Sequence, residues 1–324
     1  MALSYEFSIG SVRAKETSLF NKTDIEQLLA CNSMQELCQA LSDKGWGSGR
    51  DFDEIVQSHT DSVWEYLKGI APDYAVFTPF IIPNDAHNFK VTLKGIMSAR
   101  DYYTTLLVEP CTVEHDVLKN AVEHRNMSAL PDWLREAAEK AYDLLAHTGD
   151  ARSCDAVLDR AVMEETLRFV KDLKSDFLKE YFTTQIFYNN VKIAIRSART
   201  GADRHYLKKA LCAVEGFDRE RVIAAAMKGS DALLDVLGKL GEYGCKQAVE
   251  AYKKSPSAFE KFVDDRLMML AKESCKRVSE GAEPMLGYYL GAEAEKKVIH
   301  IIASGIRTRT DADIIRERLR EIYG

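Results

Sequence analysis

The segment NDAHNFKVTLKG (residues 84–95) crowds Asp85, His87, Asn88 and Lys90 into six positions. These residue types ligate metals and build nucleophilic triads, so the chemistry to test is metal-assisted or acid–base catalysis. Spacing argues against both. On a helix Asp85 and Asn88 are i, i+3 neighbours on one face, whereas His87 points elsewhere. No HExxH or second ligand pair completes a metal site. Asn84 or Asp85 after Pro83 suits a helix start, so the polar residues read as the head of a helix and its solvated side.

The other chemistry-bearing patterns also fall short. GWGSGR (45–50) is rich in glycine but lacks the Lys-Ser/Thr ending of a phosphate loop, and reads as an inter-helix loop. VDDRLMM (263–269) resembles a diphosphate–metal DDxxD pattern, but Leu267 stands at the fifth position, leaving its acids as a solvated helix face. His115 and His124 lie about 180° apart on an unbroken helix and cannot share a metal. The expectation is a chain with no catalytic residue, no metal ligand, no cofactor and no small-molecule substrate.

The elements that carry these residues are helices. Strand signals are sparse, with no Asn-Gly or Asp-Gly hairpin turn. In DIEQLLACNSMQELCQAL, Ile25, Leu28, Leu29, Leu37 and Leu41 recur at helical spacing. In residues 154–182, so do Val157, Leu158, Val162, Leu167, Val170, Leu173 and Leu178. Thr310, three residues before Asp313, resembles a capping box opening the last helix. The predicted fold is all-α.

The 324 residues exceed one average domain and can bury a large core. A net charge of −6 excludes broad nucleic-acid binding, which needs a basic footprint. No apolar run is long enough to span a membrane. MALSYEFSIGS lacks the features of a secretory signal, and the seven cysteines form no CxxC. These features predict a soluble protein of a reducing compartment, with a cytoplasmic location.

The opening segment also belongs to an internal repeat. HNFKVTLKGIMSAR from 87, NNVKIAIRSARTGA from 189 and KKVIHIIASGIRTR from 296 superpose. Asn88, Asn190 and Lys297 share one column, 102 and 107 residues apart. The apolar columns Phe89/Val191/Val298, Leu93/Ile195/Ile302 and Ile96/Ala198/Gly305 form one helix face. Upstream, Phe80, Phe182 and Tyr289 align, as do Val76, Leu178 and Met285. VLDR (157–160) and VDDR (263–266) echo each other. Three helical units follow, over 1–103, 104–204 and 205–324. Asp85 aligns with Phe187 and Ala294, and His87 with Asn189 and Lys296. The repeat therefore preserves packing rather than a reactive group.

These residues carry a family resemblance. PNDAHNFK (83–90) resembles the P-x-D-x-x-N-[LFA]-K motif of the C subunit of archaeal and bacterial V-type (A-type) ATPases, the counterpart of the d subunit of eukaryotic V-ATPase. SVRAKETSLF (11–20), GAEPMLGYYLGAEAEKKVIHIIASGI (281–306) and the ending DADIIRERLREIYG are similar to the family's two ends. Ile299 departs from it, standing where the third copy usually keeps a basic residue. On this resemblance Arg13, Glu16, Asp85, Asn88, Lys90, Asn190, Lys192, Glu283, Pro284 and Tyr288 are structural motif residues.

The resemblance implies three helical subdomains in a pseudo-threefold, funnel-like arrangement. It also implies a non-catalytic place in the central rotor stalk, peripheral to the membrane. There the protein would seat the D and F axle subunits on the membrane proteolipid ring and transmit torque for ATP-linked H+ or Na+ transport. Given that setting, Arg199, Arg204, Lys208 and Lys209 of one basic stretch and Arg307 and Arg309 of another are candidate contacts for acidic partner loops. The competing readings are a free-standing helical scaffold, favoured by the repeat alone, and an all-α metalloenzyme using Asp85 and His87.

Overall fold

A computed structural model describes residues 4–173, 175–201 and 203–324. Among the described residues the regular elements are all helical. In chain order the α-helices are α1 (Tyr5–Glu16), α2 (Lys22–Leu29), α3 (Met34–Asp43), α4 (Phe52–Ile70), α5 (Thr78–Met97), α6 (His115–Glu123), α7 (Asp132–Thr148) and α8 (Ala151–Asp172). They continue as α9 (Asp176–Thr200), α10 (Arg204–Ala210), α11 (Arg219–Ala226), α12 (Ser230–Leu237), α13 (Cys245–Lys254), α14 (Pro256–Cys275), α15 (Glu283–Thr308) and α16 (Ala312–Arg318).

Polar caps punctuate the long apolar runs. Ser33 accepts a hydrogen bond from the Glu36 N–H and splits the 24–41 run into α2 and α3. Ser175 accepts from Leu178 N–H and separates α8 from α9. Each serine satisfies an orphan donor of a first turn, which periodicity alone does not reveal. The last helix is capped by Asp311, which accepts from Asp313 N–H, rather than by Thr310. GWGSGR is indeed the loop between α3 and α4, with Gly45 and Gly47 at positive φ. Its Trp46 is buried in a stack between Phe20 and His59, at centroid distances of 5.4 and 4.0 Å.

The chain forms two compact units, Met1–Ala75 with Glu250–Gly324, and Val76–Val249. In the first, α15 packs on α14 and α1. Its core joins Leu28, Leu37, Leu41 and Phe52 to Val298, Ile299 and Ile302, so the two ends of the chain share one apolar cluster. Two α15 glycines let the C-terminus approach. A Cβ at Gly287 would lie 2.3 Å from the Tyr323 hydroxyl, and one at Gly291 would lie 2.9 Å from Tyr323 Cβ.

In the second unit α7 and α8 form a hairpin turned at Gly149, whose φ of 65° suits glycine. With α5 and α6 they enclose Phe89, Leu93, Val113, Leu118, Leu134 and Leu158. Fully burying a side chain such as Phe89 or Leu93 contributes about 1.5–3 kcal/mol.

Two of the three apolar repeat columns are fully buried: Phe89, Val191 and Val298 are each 0% exposed, and Leu93, Ile195 and Ile302 at most 7%; in the third, Gly305 is buried while Ile96 and Ala198 are half-buried. Three long helices carry them. Of these, α5 and α9 fall in the second unit and α15 in the first.

Candidate functional site

The segment 84–95 is not a helix start, and only part of its polar side is solvated: His87 is exposed, whereas Asp85 and Asn88 are buried. Helix α5 begins at Thr78 and runs through Pro83, with Asp85 and Asn88 in its interior, both 0% exposed. Pro83 supplies no N–H to the Pro79 carbonyl. The helix nevertheless continues, its flanking residues Ile81, Ile82 and Ala86 buried. Tertiary burial thus overrides the local signal for a helix start after Pro83, and the polar residues instead hold a loop, with Asp85 and Asn88 turned inward.

That loop is residues 106–113. The Asp85 carboxylate accepts hydrogen bonds from Thr112 N–H (2.7 Å), Val113 N–H (3.0 Å) and Thr112 Oγ1 (2.6 Å). Burial pushes the Asp85 carboxyl pKa up, and the three donors offset only part of that shift. Asn88 clamps one residue on both sides: its Oδ1 accepts from Val108 N–H and its Nδ2 donates to Val108 O, each at 2.9 Å. Asn84 Nδ2 donates to Pro110 O (2.8 Å), and His87 Nε2 lies 3.0 Å from Leu106 O. Asp85 and His87 therefore hold different points of the loop and do not converge on a common ligand. Lys90 instead pairs with Asp159 on α8, and Lys94 pairs with Asp155 at 2.6 Å.

The same amide clamp recurs on α9. Buried Asn190 accepts from Cys212 N–H (3.0 Å) and donates to Cys212 O (2.8 Å). Each asparagine thus satisfies one backbone N–H and one C=O just past the helix that carries it. Lys192 is half-buried on the same helix.

In the third copy Lys297 occupies the asparagine column and the device is ionic. Asp264 of α14 receives Lys297 Nζ on one oxygen and Arg320 Nε on the other, both at 2.8 Å. The VDDR acids are therefore not a solvated face. Asp264 is mostly buried, and the two cations lower its carboxyl pKa against the upward push of burial. Around this centre α14 straps the C-terminus. Lys261 donates to Leu319 O (2.5 Å), Asp265 accepts from Glu321 N–H (2.6 Å), Lys272 pairs with Glu321 (2.6 Å) and Lys276 donates to Tyr323 O (3.0 Å).

The end motifs build similar anchors. Arg13 makes a two-oxygen pair with Glu16 (2.8 Å each). Its other amino group caps the carbonyls of Cys275 and Val278 at the end of α14 (2.8 and 2.6 Å). A guanidinium there satisfies orphan carbonyls and suits the helix dipole. Glu283 and Pro284 open α15, and buried Tyr288 meets Tyr66 edge-on at 5.6 Å. Further along the same helix Glu295 is 2% exposed and accepts from Phe20 N–H; burial pushes its carboxyl up to about 8.

The candidate partner contacts lie at two places. In the second unit Arg204 and Lys208 share Glu220, at 2.7 and 3.8 Å, so part of their charge is answered internally. Arg199 is exposed at the end of α9, and Lys209 is half-buried on α10. In the first unit Arg307 and Arg309 are exposed at the end of α15, with Arg307 over the Phe52 ring at 5.3 Å.

One constellation lies outside every sequence motif. Glu109, Cys111 and His115 bring a carboxylate oxygen, a thiol sulfur and an imidazole nitrogen within 4.8 Å of one another. Burial and the neighbouring Glu109 carboxylate push the Cys111 thiol up to about 12. Its sequence signal is an E-x-C-x3-H spacing, but only the clamped loop brings the three members together.

No helix among the described residues is long and apolar enough to cross a membrane. The chain is similar to the C subunit of the V-type sodium ATPase of Enterococcus hirae, 19% identical over 96% of this chain and 97% of that protein. It is similar to the C subunits of the A-type ATP synthases of Methanothermobacter thermautotrophicus (25% identical; 91% of this chain, 82% of that one) and Methanocaldococcus jannaschii (22%; 93% and 82%). The ATP synthase (C/AC39) subunit family matches residues 8–318, taking in the Arg13 anchor, the two amide clamps and the Lys297–Asp264 pair. A match so nearly coextensive with the folded chain places this protein in that family.

Proposed function

We propose that this chain is the non-catalytic central-stalk rotor subunit of a V-type or A-type ATPase. In this reading it seats the D and F axle subunits of the soluble head on the membrane proteolipid ring and carries torque between ATP turnover and H+ or Na+ movement. It works in the cytoplasm, peripheral to the membrane, with its three repeat units (1–103, 104–204 and 205–324) in a pseudo-threefold, funnel-like array. The observation that carries the reading is the family match over residues 8–318.

The physical character of the helices supports it. A coupler under load needs stiffness more than reactivity, and close-packed interiors transmit strain. Here each repeat helix is tied by side chains to chain segments distant in sequence: Asn88 to Val108, Asn190 to Cys212, Lys297 to Asp264. Such ties make packed helices resist twisting. Arg199, Arg204, Lys208, Lys209, Arg307 and Arg309 serve as contacts to acidic partner loops, where complementary charge sets orientation and association rate.

The test is capture of the purified D–F pair and the detergent-solubilised ring by the full chain, at low salt and micromolar concentration. Binding of both is expected, and binding of neither refutes the reading. Arg307→Glu with Arg309→Glu should slow association and weaken its salt dependence. An unchanged rate removes those two residues from the interface.

A further inference from the structure

We propose that Glu109, Cys111 and His115 form a binding site for a thiophilic divalent transition metal of the Zn2+ class, within the loop that α5 clamps. In a tetrahedral zinc site, with bonds of about 2.0–2.1 Å to N and O and about 2.3 Å to S, ligand atoms stand roughly 3.3–3.6 Å apart. Glu109 Oε1 lies 3.4 Å from His115 Nε2, and Cys111 Sγ lies 3.8 Å from the same nitrogen. The third separation, Glu109 carboxylate oxygen to Cys111 Sγ, is within 4.8 Å, so side-chain rotation can bring all three atoms to bonding distance of one point and leave a fourth position open.

Val108 N–H fixes Asn88 Oδ1, so Asn88 Nδ2 must be the group facing His115 Nε2, at 3.3 Å. The thiol and carboxylate face the same nitrogen, and a metal bonding to it displaces the Asn88 N–H from that position. The loop is held before any metal arrives. Asp85 fixes Thr112 and Val113, Asn84 fixes Pro110, and Cys111 N–H donates to Glu109 Oε2 at 2.9 Å. Supports of this kind tune metal affinity by roughly 10–100-fold. Glu109 is exposed and the other two half-exposed, so an ion can enter from solvent. Coordination replaces the Cys111 S–H bond with a metal–sulfur bond and releases one proton to the buffer. The site needs nothing from the rotor reading and stands or falls separately.

The experiment uses the full chain, stripped with chelator and titrated with Co2+ as a spectroscopic stand-in for Zn2+. One equivalent should produce a sulfur-to-cobalt charge-transfer band and the intense visible bands of tetrahedral cobalt, both bleached by Zn2+. Cys111→Ser should abolish the charge-transfer band, and His115→Ala should weaken binding by at least roughly tenfold. The metal-free circular dichroism should stay unchanged in both variants. Cys31→Ser with Cys38→Ser should leave the spectrum intact. If Cys111→Ser does not fold, X-ray absorption of the zinc-loaded wild type decides, since one sulfur must be among the atoms bonded to the metal. A wild-type spectrum without a thiolate band, a band that survives in folded Cys111→Ser, or zinc bonded to nitrogen and oxygen alone overturns the site.

Discussion

The repeat helices α5 and α9 hold their following segments with a neutral amide, whereas α15 uses a lysine ion-paired with a carboxylate of α14. Asn88 and Asn190 each give one acceptor and one donor to a single residue, Val108 or Cys212. Lys297, in their column, reaches Asp264, which also holds Arg320 of the C-terminal strap. The two solutions meet the same need, tying a long helix to another part of the chain. They differ in what can undo them. An amide clamp does not titrate and is little affected by salt, but losing it strands two backbone groups. The ionic clamp answers to pH. Helix α15 adds a second titratable group, Glu295, where α5 and α9 carry Ala86 and Tyr188 in register. The comparison therefore places the larger pH sensitivity on α15 and its surroundings, while α5 keeps one buried titratable group, Asp85, whose pKa is also raised by burial.

The largest effect tests that assignment directly. The Glu295 carboxyl is pushed up to about 8 in the folded chain, against an unfolded value near 4.3. Between those values the folded state binds the extra proton, so its stability falls as pH rises through the window. Urea unfolding should show wild type losing about 4 kcal/mol from about pH 5 to about pH 9 through this group, while Glu295→Gln loses far less. Parallel pH profiles for the two proteins would place the sensitivity elsewhere.

Next in size is Asn190→Ala, which leaves Cys212 N–H and C=O buried without their amide partner. At about 1–3 kcal/mol for each stranded group, a loss of about 2–5 kcal/mol is expected. Asn88→Ala should cost less, because its clamp is only partly buried. Both losses should be the same at low and high salt. A loss that shrinks in high salt would erase the distinction between the clamps.

Asp264→Asn should cost about 1.5–3 kcal/mol near neutral pH, the range for hydrogen bonds to charged groups. Its folded pKa is lowered, so the wild-type advantage is complete above the unfolded value near 3.9 and disappears as pH falls through the folded one. Acid titration of the unfolding midpoint for the two proteins measures this, and an advantage that persists in strong acid contradicts the ionic role. Smallest is Lys90→Met. The Lys90–Asp159 pair has an exposed acidic partner, so its removal should cost no more than about 1 kcal/mol, less still at high salt. A larger loss would mean that this pair, too, acts as a clamp.

The all-helical fold and the buried columns are legible in the sequence because they rest on periodicity. Phe89 and Leu93, like Val191 and Ile195, fall at i, i+4 spacing and must face inward wherever the helix is packed. The inward course of Asp85 and Asn88 is not legible. A polar residue on a helix looks the same in sequence whether it faces water or a loop some 20 residues downstream. Pro83 points the wrong way, since a local start signal gives no notice of burial strong enough to carry an earlier helix through it. Asp264 is hidden for the same reason: its partners Lys297 and Arg320 are 33 and 56 positions away.

The helical class, the apolar faces, the repeat pattern and, through its motifs, the family can be read from the order of residues alone. Those properties depend on local spacing or on patterns that survive without coordinates. Which polar residues are buried, what each one holds, and the meeting of Glu109, Cys111 and His115 depend on how the folded chain brings distant segments together. Hydrogen bonds and ion pairs are directional and short in range, so they exist only once folding has brought distant groups within about 3 Å.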